Sequence, residues 1–126
     1  MISSGKRVVI FLDSGANQNV NFILDEFTYM WETPFDQTDS SFPCTVDRPA
    51  SLQGQIPNGR LSVINHFLDI KLPIVDILIP DKGALEQTNG ASGPGSLGLQ
   101  AQQCAAIYDR FPNFLLVDCN AIFERD

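Results

Sequence analysis

A chain of 126 residues, 44% hydrophobic and 18% charged, has the make-up of one soluble globular domain, single over residues 1–126. It can bury a core without metal or disulfide staples, yet it is too short for a complete (β/α)8 barrel, which takes about 250 residues. Fifteen acidic against eight basic side chains leave a net charge of −7, which repels phosphate backbones and excludes nucleic acid as a partner.

The apolar runs at residues 8–12 and 74–79 fall far short of the roughly 20 residues that span a bilayer, so no integral membrane segment is expected. The opening residues also lack the apolar stretch of a signal peptide. Residues 7–12 (Arg-Val-Val-Ile-Phe-Leu) form a continuous β-branched and aromatic run ending in the turn signal Asp13-Ser14-Gly15. This predicts a strand covered on both faces. Val20, Ile23, Leu24, Phe27, Met30 and Trp31 recur at three- and four-residue spacing and predict an amphipathic helix that stops before Pro34.

Residues 33–58, rich in Pro, Ser, Asp and Gly, read as a long working loop, with Cys44-Thr45-Val46 as a short strand within it. A strand is predicted over residues 61–67, followed by a Pro-interrupted apolar stretch at 72–80 whose type stays open. After the Gly/Ser/Asn-rich loop at 88–95, Ser96 caps a predicted helix running to about Asp109, with Leu97, Ala101, Cys104, Ala105 and Tyr108 on one stripe. Residues 114–117 close the series as a strand carrying Asp118 at its carboxyl end. Strands alternating with helices predict a parallel α/β arrangement.

Several motifs compete for a chemical reading. Gly93-Pro94-Gly95-Ser96-Leu97-Gly98 matches G-x-G-x-x-G, opens a helix and precedes Asp118 by 20 residues, as a dinucleotide-binding fingerprint would. It stands more than a dozen residues beyond Ile79, however, so a Gly-rich loop leading into a capped helix is the simpler alternative. Ser96 does not complete a nucleophile elbow, because Pro94 replaces the required glycine and His66 precedes the serine. Cys44, Cys104 and Cys119 with His66 lack the close-spaced ligand pairs of a zinc site. In an oxidising compartment Cys44 and Cys104 pair as a disulfide; in a reducing one all three are small buried residues. His66, the only histidine, is either a satisfied strand residue or a site residue. Trp31, the only tryptophan, is either the core end of its helix or an aromatic wall for a ligand. Asp13, Asp47, Asp69 and Asp118 each follow an apolar or β-branched run, and strand ends are where parallel α/β folds gather ligands.

Five runs carry a family resemblance: Val-Val-Ile-Phe-Leu-Asp at 8–13, Ile-Leu-Asp-Glu-Phe-Thr-Tyr-Met-Trp-Glu-Thr-Pro-Phe at 23–35, Ser-Phe-Pro-Cys-Thr-Val-Asp-Arg-Pro at 41–49, Val-Ile-Asn-His-Phe-Leu-Asp at 63–69, and Asn-Phe-Leu-Leu-Val-Asp at 113–118. Together they resemble the fungal branch of the phospholipase C-like phosphodiesterases, TIM-barrel proteins similar to bacterial phosphatidylinositol-specific phospholipase C. The resemblance implies an α/β fold of parallel βα units corresponding to about half of such a barrel, strands five to eight. It implies a phosphoric diester hydrolase of lipid metabolism that needs no cofactor. Its partner would be a small phosphodiester or a phospholipid headgroup.

In that family two histidines act as base and acid, and neither is matched in this sequence. The resemblance therefore implies that the chain alone is inactive and that both its ends are cut. Longer relatives commonly carry signal peptides, which implies a secreted family. By position Asp118 resembles the carboxylate that orients the catalytic base. Asp47, Arg48, Asp13, Trp31 and His66 make up the candidate substrate-binding set, although Asp13 stands where bacterial relatives carry a basic residue and Pro49 where they carry a tyrosine. Alternatives are a non-enzymatic half-barrel that binds polyols or self-associates through exposed barrel edges, and a dinucleotide module built on Gly93, Gly95 and Gly98.

Overall fold

The computed structural model describes residues 2–17 and 19–118. Strand β1 (Ile10–Leu12) pairs in parallel with β2 (Ile23–Asp25), and a single helical turn, α1 (Glu26–Tyr29), leads directly into β3 (Met30–Glu32). An irregular segment holding one short 3-10 turn (Ala50–Leu52) precedes β4 (Leu61–His66). An antiparallel ribbon follows, β5 (Asp69–Leu72) with β6 (Ile77–Pro80), then α2 (Leu85–Thr88), α3 (Leu97–Tyr108) and β7 (Phe114–Val117). The strands form three separate sheets: β1-β2, the parallel β3-β4-β7, and β5-β6.

This corrects the expected fold class of repeated parallel βα units equal to half a barrel. Parallel pairing is present, but the sheet content is mixed, and α3 is the only α-helix longer than four residues among the described residues. Among the described residues no α-helix lies between β1 and β2 or between β3 and β4. The amphipathic helix expected over residues 20–31 is also absent. Met30, Trp31 and Glu32 are all buried, a two-sided burial that suits a strand next to β4 better than one face of a helix. Ile23-Leu24 and Met30-Trp31 keep a helical spacing only because one helical turn separates two strands. Likewise β1 is not covered on both faces, since Ile10 and Leu12 are exposed, and Cys44-Thr45-Val46 is not a strand.

The core lies on the α3 side of the three-stranded sheet. Trp31 and Ile64 point there from β3 and β4 and meet Cys44, Val46 and Cys104. Cys44 and Cys104 form a disulfide across 60 residues of sequence, while Cys119 lies outside the described residues. Trp31 stacks at a tilt on Tyr108, ring centroids 4.6 Å apart, and the Tyr108 hydroxyl donates to the Cys44 carbonyl at 2.6 Å. The predicted cap is present: Ser96 Oγ accepts from the Leu99 amide at 3.2 Å. Asp109, in the left-handed region at φ 54°, ends the helix.

Candidate functional site

In the parallel sheet, register decides which side chains share a face. Val63 lies between Glu32 and Phe114, and Met30 beside Leu61. These residues, with Leu116 and the β1 residue Phe11, line a groove of about 760 Å3 on the face away from α3. The groove is apolar along the strands and polar where they end. There stand Asp13, just after β1; Glu26, the first residue of α1; Glu32, the last of β3; and Arg48.

Arg48 is delivered by an antiparallel bridge between its backbone and Glu32. Its Nε donates to Glu32 Oε2 at 2.9 Å, and its Nη2 donates to the same oxygen. Nη1 lies 3.9 Å from Asp13 Oδ2. The guanidinium carbon stands 4.7 Å from the Phe35 ring centroid and 5.2 Å from that of Phe27, so two aromatic rings flank the cation. Asn65 holds the carboxylate from the β4 side, donating to Glu32 Oε2 at 3.4 Å and to the Thr33 carbonyl at 2.8 Å. Glu32 is thus a buried charge with a cation and an amide for company, as a buried carboxylate requires.

Glu26 completes the cluster as a proton-holding group. Burial, then a hydrogen bond with Glu32, then the negative charges of Glu32 and Asp13 raise its pKa from 4.5 to about 7, with Arg48 pulling the other way. Carboxylates accept hydrogen bonds from hydroxyls, and a guanidinium donates to oxygen acceptors, so the cluster presents both hydrogen-bond acceptors and a donor at the end of the groove.

The sequence-predicted residues are divided by the sheet. Asp13 and Arg48 come together. Asp47 is next in line: its amide donates to the Glu32 carbonyl at 2.8 Å, and its side chain is half-buried beside Arg48 in the chain. Asp118 follows β7 directly, its carbonyl accepting from Asn89 Nδ2 at 2.9 Å; the Asp69 pKa is raised by burial first and then by the charges of Asp118 and Asp36. Trp31 and His66 are not brought to the cluster. Trp31, 1% exposed, points into the core. His66, 0% exposed, puts Nδ1 2.6 Å from Gln100 Oε1 and Nε2 2.8 Å from the Thr88 carbonyl, with Phe42 against its ring. Gln100 Nε2 is buried without a partner. Turning that amide over lets it donate to Nδ1 while Nε2–H donates to Thr88, which satisfies a neutral imidazole. Burial lowers the His66 pKa in agreement.

Glu26, Glu32 and Asn65 were not among the residues singled out from the sequence. The available signal was a polar residue inside an apolar run: Glu32 after Met30-Trp31, and Asn65 within Val63-Ile64-Asn65-His66. The glycine fingerprint is accounted for by packing. A Cβ on Gly98 would lie 1.9 Å from the Ala91 carbonyl oxygen. The Gly98 amide donates to the Gly90 carbonyl at 3.2 Å, so the loop itself occupies the first turn of α3. No group of three or more potential metal ligands is found among the described residues. No helix among them is long and apolar enough to cross a membrane.

An ionisable cluster thus stands at the carboxyl ends of parallel strands, above an apolar groove, where small-molecule sites commonly form. More narrowly, the chain belongs to the PI-PLC X family, as its quoted runs suggested: the family model described as PI-PLC X 1 matches residues 1–124. Two proteins of Arthroderma benhamiae are similar to it. One, named an uncharacterized secreted protein, is 46% identical over 121 residues, covering 94% of this chain and 27% of that protein. The other, named PI-PLC X domain-containing protein 1, is 43% identical over 120 residues, covering 94% of this chain and 38% of that protein. The chain therefore spans between a quarter and two-fifths of the length of these relatives. No solved structure matches it.

Proposed function

We propose that this chain carries headgroup-binding side chains of a secreted phospholipase C-like phosphodiester hydrolase and is inactive by itself. The observation that carries the reading is the Arg48–Glu32–Asp13–Glu26 cluster at the end of the groove, in a chain of the PI-PLC X family. Asp13 and Glu26 accept headgroup hydroxyls, and the Arg48 edge not turned to Glu32 meets an ester oxygen. Asp47 extends the polar rim. Asp118, at the end of β7, orients a base supplied from outside the chain. Trp31 and His66 serve the core.

Transfer by this chemistry needs a base to take the attacking hydroxyl's proton and an acid to return one to the leaving oxygen. The chain's single imidazole is buried with both nitrogens engaged, which supports the inactivity. The disulfide supports an oxidising compartment. The test is calorimetric titration with glycerophosphoinositol. Binding that falls at least tenfold in Arg48→Met and in Asp13→Leu supports the reading; binding unaffected by either substitution overturns it.

A second reading, self-association through the groove face, is favoured by surface area. The accessible surface is 8657 Å2, against about 6,700 Å2 for a compact monomer of 13.9 kDa. The excess is larger than one partner's share of a standard interface, roughly 800 Å2. A sedimentation coefficient that rises with concentration supports it, and a strict monomer excludes it.

A further inference from the structure

The chain contains two Asn-Gly pairs, Asn58-Gly59 and Asn89-Gly90. Such a pair carries its own chemistry: with no Cβ to obstruct it, the glycine's backbone nitrogen can reach the asparagine side-chain carbonyl carbon. The fold treats the two pairs in opposite ways.

Asn89-Gly90 is locked. Asn89 Nδ2 donates to the Asp118 carbonyl at 2.9 Å, and the Gly90 amide donates to the Gln87 carbonyl at 3.1 Å. Asn89 Oδ1 is buried with no donor, so negative charge developing on it during attack would go unsolvated. Asn58-Gly59 is open. Both residues are exposed, in a turn that the Arg60 amide closes onto the Pro57 carbonyl at 3.4 Å. Among the described residues, neither the Asn58 side chain nor the Gly59 amide has a hydrogen-bond partner. Gly59 lies at φ 78°, and nothing stands within 4 Å of where its Cβ would be. The flanks are anchored: Pro57 is buried, the Arg60 guanidinium donates to the Phe27 carbonyl, and the Arg60 carbonyl accepts from Arg110. The reactive pair is thus held out to solvent on a fixed base.

We propose that Asn58 is a self-modifying site, converted to aspartate and isoaspartate with water as the only co-reactant. The Gly59 nitrogen gives its proton to solvent base and bonds to Asn58 Cγ; the Cγ–Nδ2 bond breaks, and the departing nitrogen takes a proton back and leaves as ammonia. Water then adds to either carbonyl of the cyclic imide and opens it to a carboxylate, whose proton ends on the ammonia. The product adds one negative charge to the net −7, close in sequence to Arg60. The isoaspartyl form also puts an extra methylene into the main chain just before β4. The modification does not depend on the headgroup-binding reading.

The test is incubation of the full chain at pH 8, with peptide mapping by mass spectrometry for the exchange of NH for O and labelling of the isomer by an isoaspartyl methyltransferase. Asn58 should convert at least about tenfold faster than Asn89, which must open locally before it can react. Conversion should be faster at pH 8 than at pH 6. In urea with the disulfide reduced, the two sites should react at similar rates. Asn58→Gln, whose longer side chain would have to close a larger ring, should keep its amide and lose the isoaspartyl label. An unmodified Asn58, equal rates at the two sites in the folded chain, a rate difference that survives unfolding, or an undiminished label in Asn58→Gln overturns the proposal.

Discussion

Replacing Glu26 by Gln should stabilise the protein above neutrality and leave it unchanged in mild acid. Folding raises the Glu26 pKa from 4.5 to about 7. The protonated carboxyl is thus favoured in the folded state, and the associated stability is complete below pH 4.5 and lost as pH rises through 7. A shift of this size would cost up to about 3 kcal/mol at about 1.4 kcal/mol per pKa unit. Glu26 is only partly screened from water, which reduces the expected cost to about 1–2 kcal/mol. A Gln amide keeps the donated hydrogen bond to Glu32 and cannot ionise. Urea unfolding followed by the emission of Trp31, the only tryptophan and a core residue, reads the difference at pH 4 and pH 8. With an m-value of about 1–3 kcal/mol/M, the midpoint of Glu26→Gln should rise by about 0.3–2 M at pH 8 and coincide with wild type at pH 4. Equal midpoints at pH 8, or a gain that does not depend on pH, would refute the proton-holding pair.

Three further substitutions test the supports of the site. Arg48→Ala removes the guanidinium from Glu32, whose side chain is 6% exposed, and should cost about 3 kcal/mol in urea unfolding, partly restored when Glu32→Gln is added. Cys44→Ser with Cys104→Ser opens a 60-residue loop and should cost about 4 kcal/mol by chain entropy, seen as a lower melting temperature matched by reduced wild type. Gly98→Ala drives a methyl into the Ala91 carbonyl and should cost about 3 kcal/mol by calorimetry; a neutral result would mean that the 90–95 loop does not rest on α3.

Signals local to one element were legible in the sequence. Ser96 announced the start of α3, residues 114–117 formed the last strand, and residues 61–66 of the predicted strand form β4. The pairing of Cys44 with Cys104 was one of two outcomes left open. What escaped depends on distant partners. Residues 23–32 satisfy a helical period and a strand–turn–strand equally well, and only β4, thirty residues on, decides between them. The ribbon turn hides its signal because Asp76, at φ 51°, takes the left-handed position where Gly or Asn is expected. In the site, Trp31 and Glu32 are adjacent in sequence yet face opposite sides of the sheet, one to the core and one to the groove. Composition cannot set that parity. Arg48 was found through resemblance, whereas Glu26 and Asn65 matter only because the Glu32–Arg48 bridge and the β3–β4 register gather them.

The central claim is that the chain binds a polyol phosphodiester but does not cleave it. Phosphorus NMR of glycerophosphoinositol mixed with the purified 126-residue chain reads both parts at once. The expected spectrum shows a shifted or broadened diester signal that persists unchanged in amount, with no new resonance. A growing cyclic-phosphate or monoester signal would contradict the account, as would a diester signal indifferent to the protein.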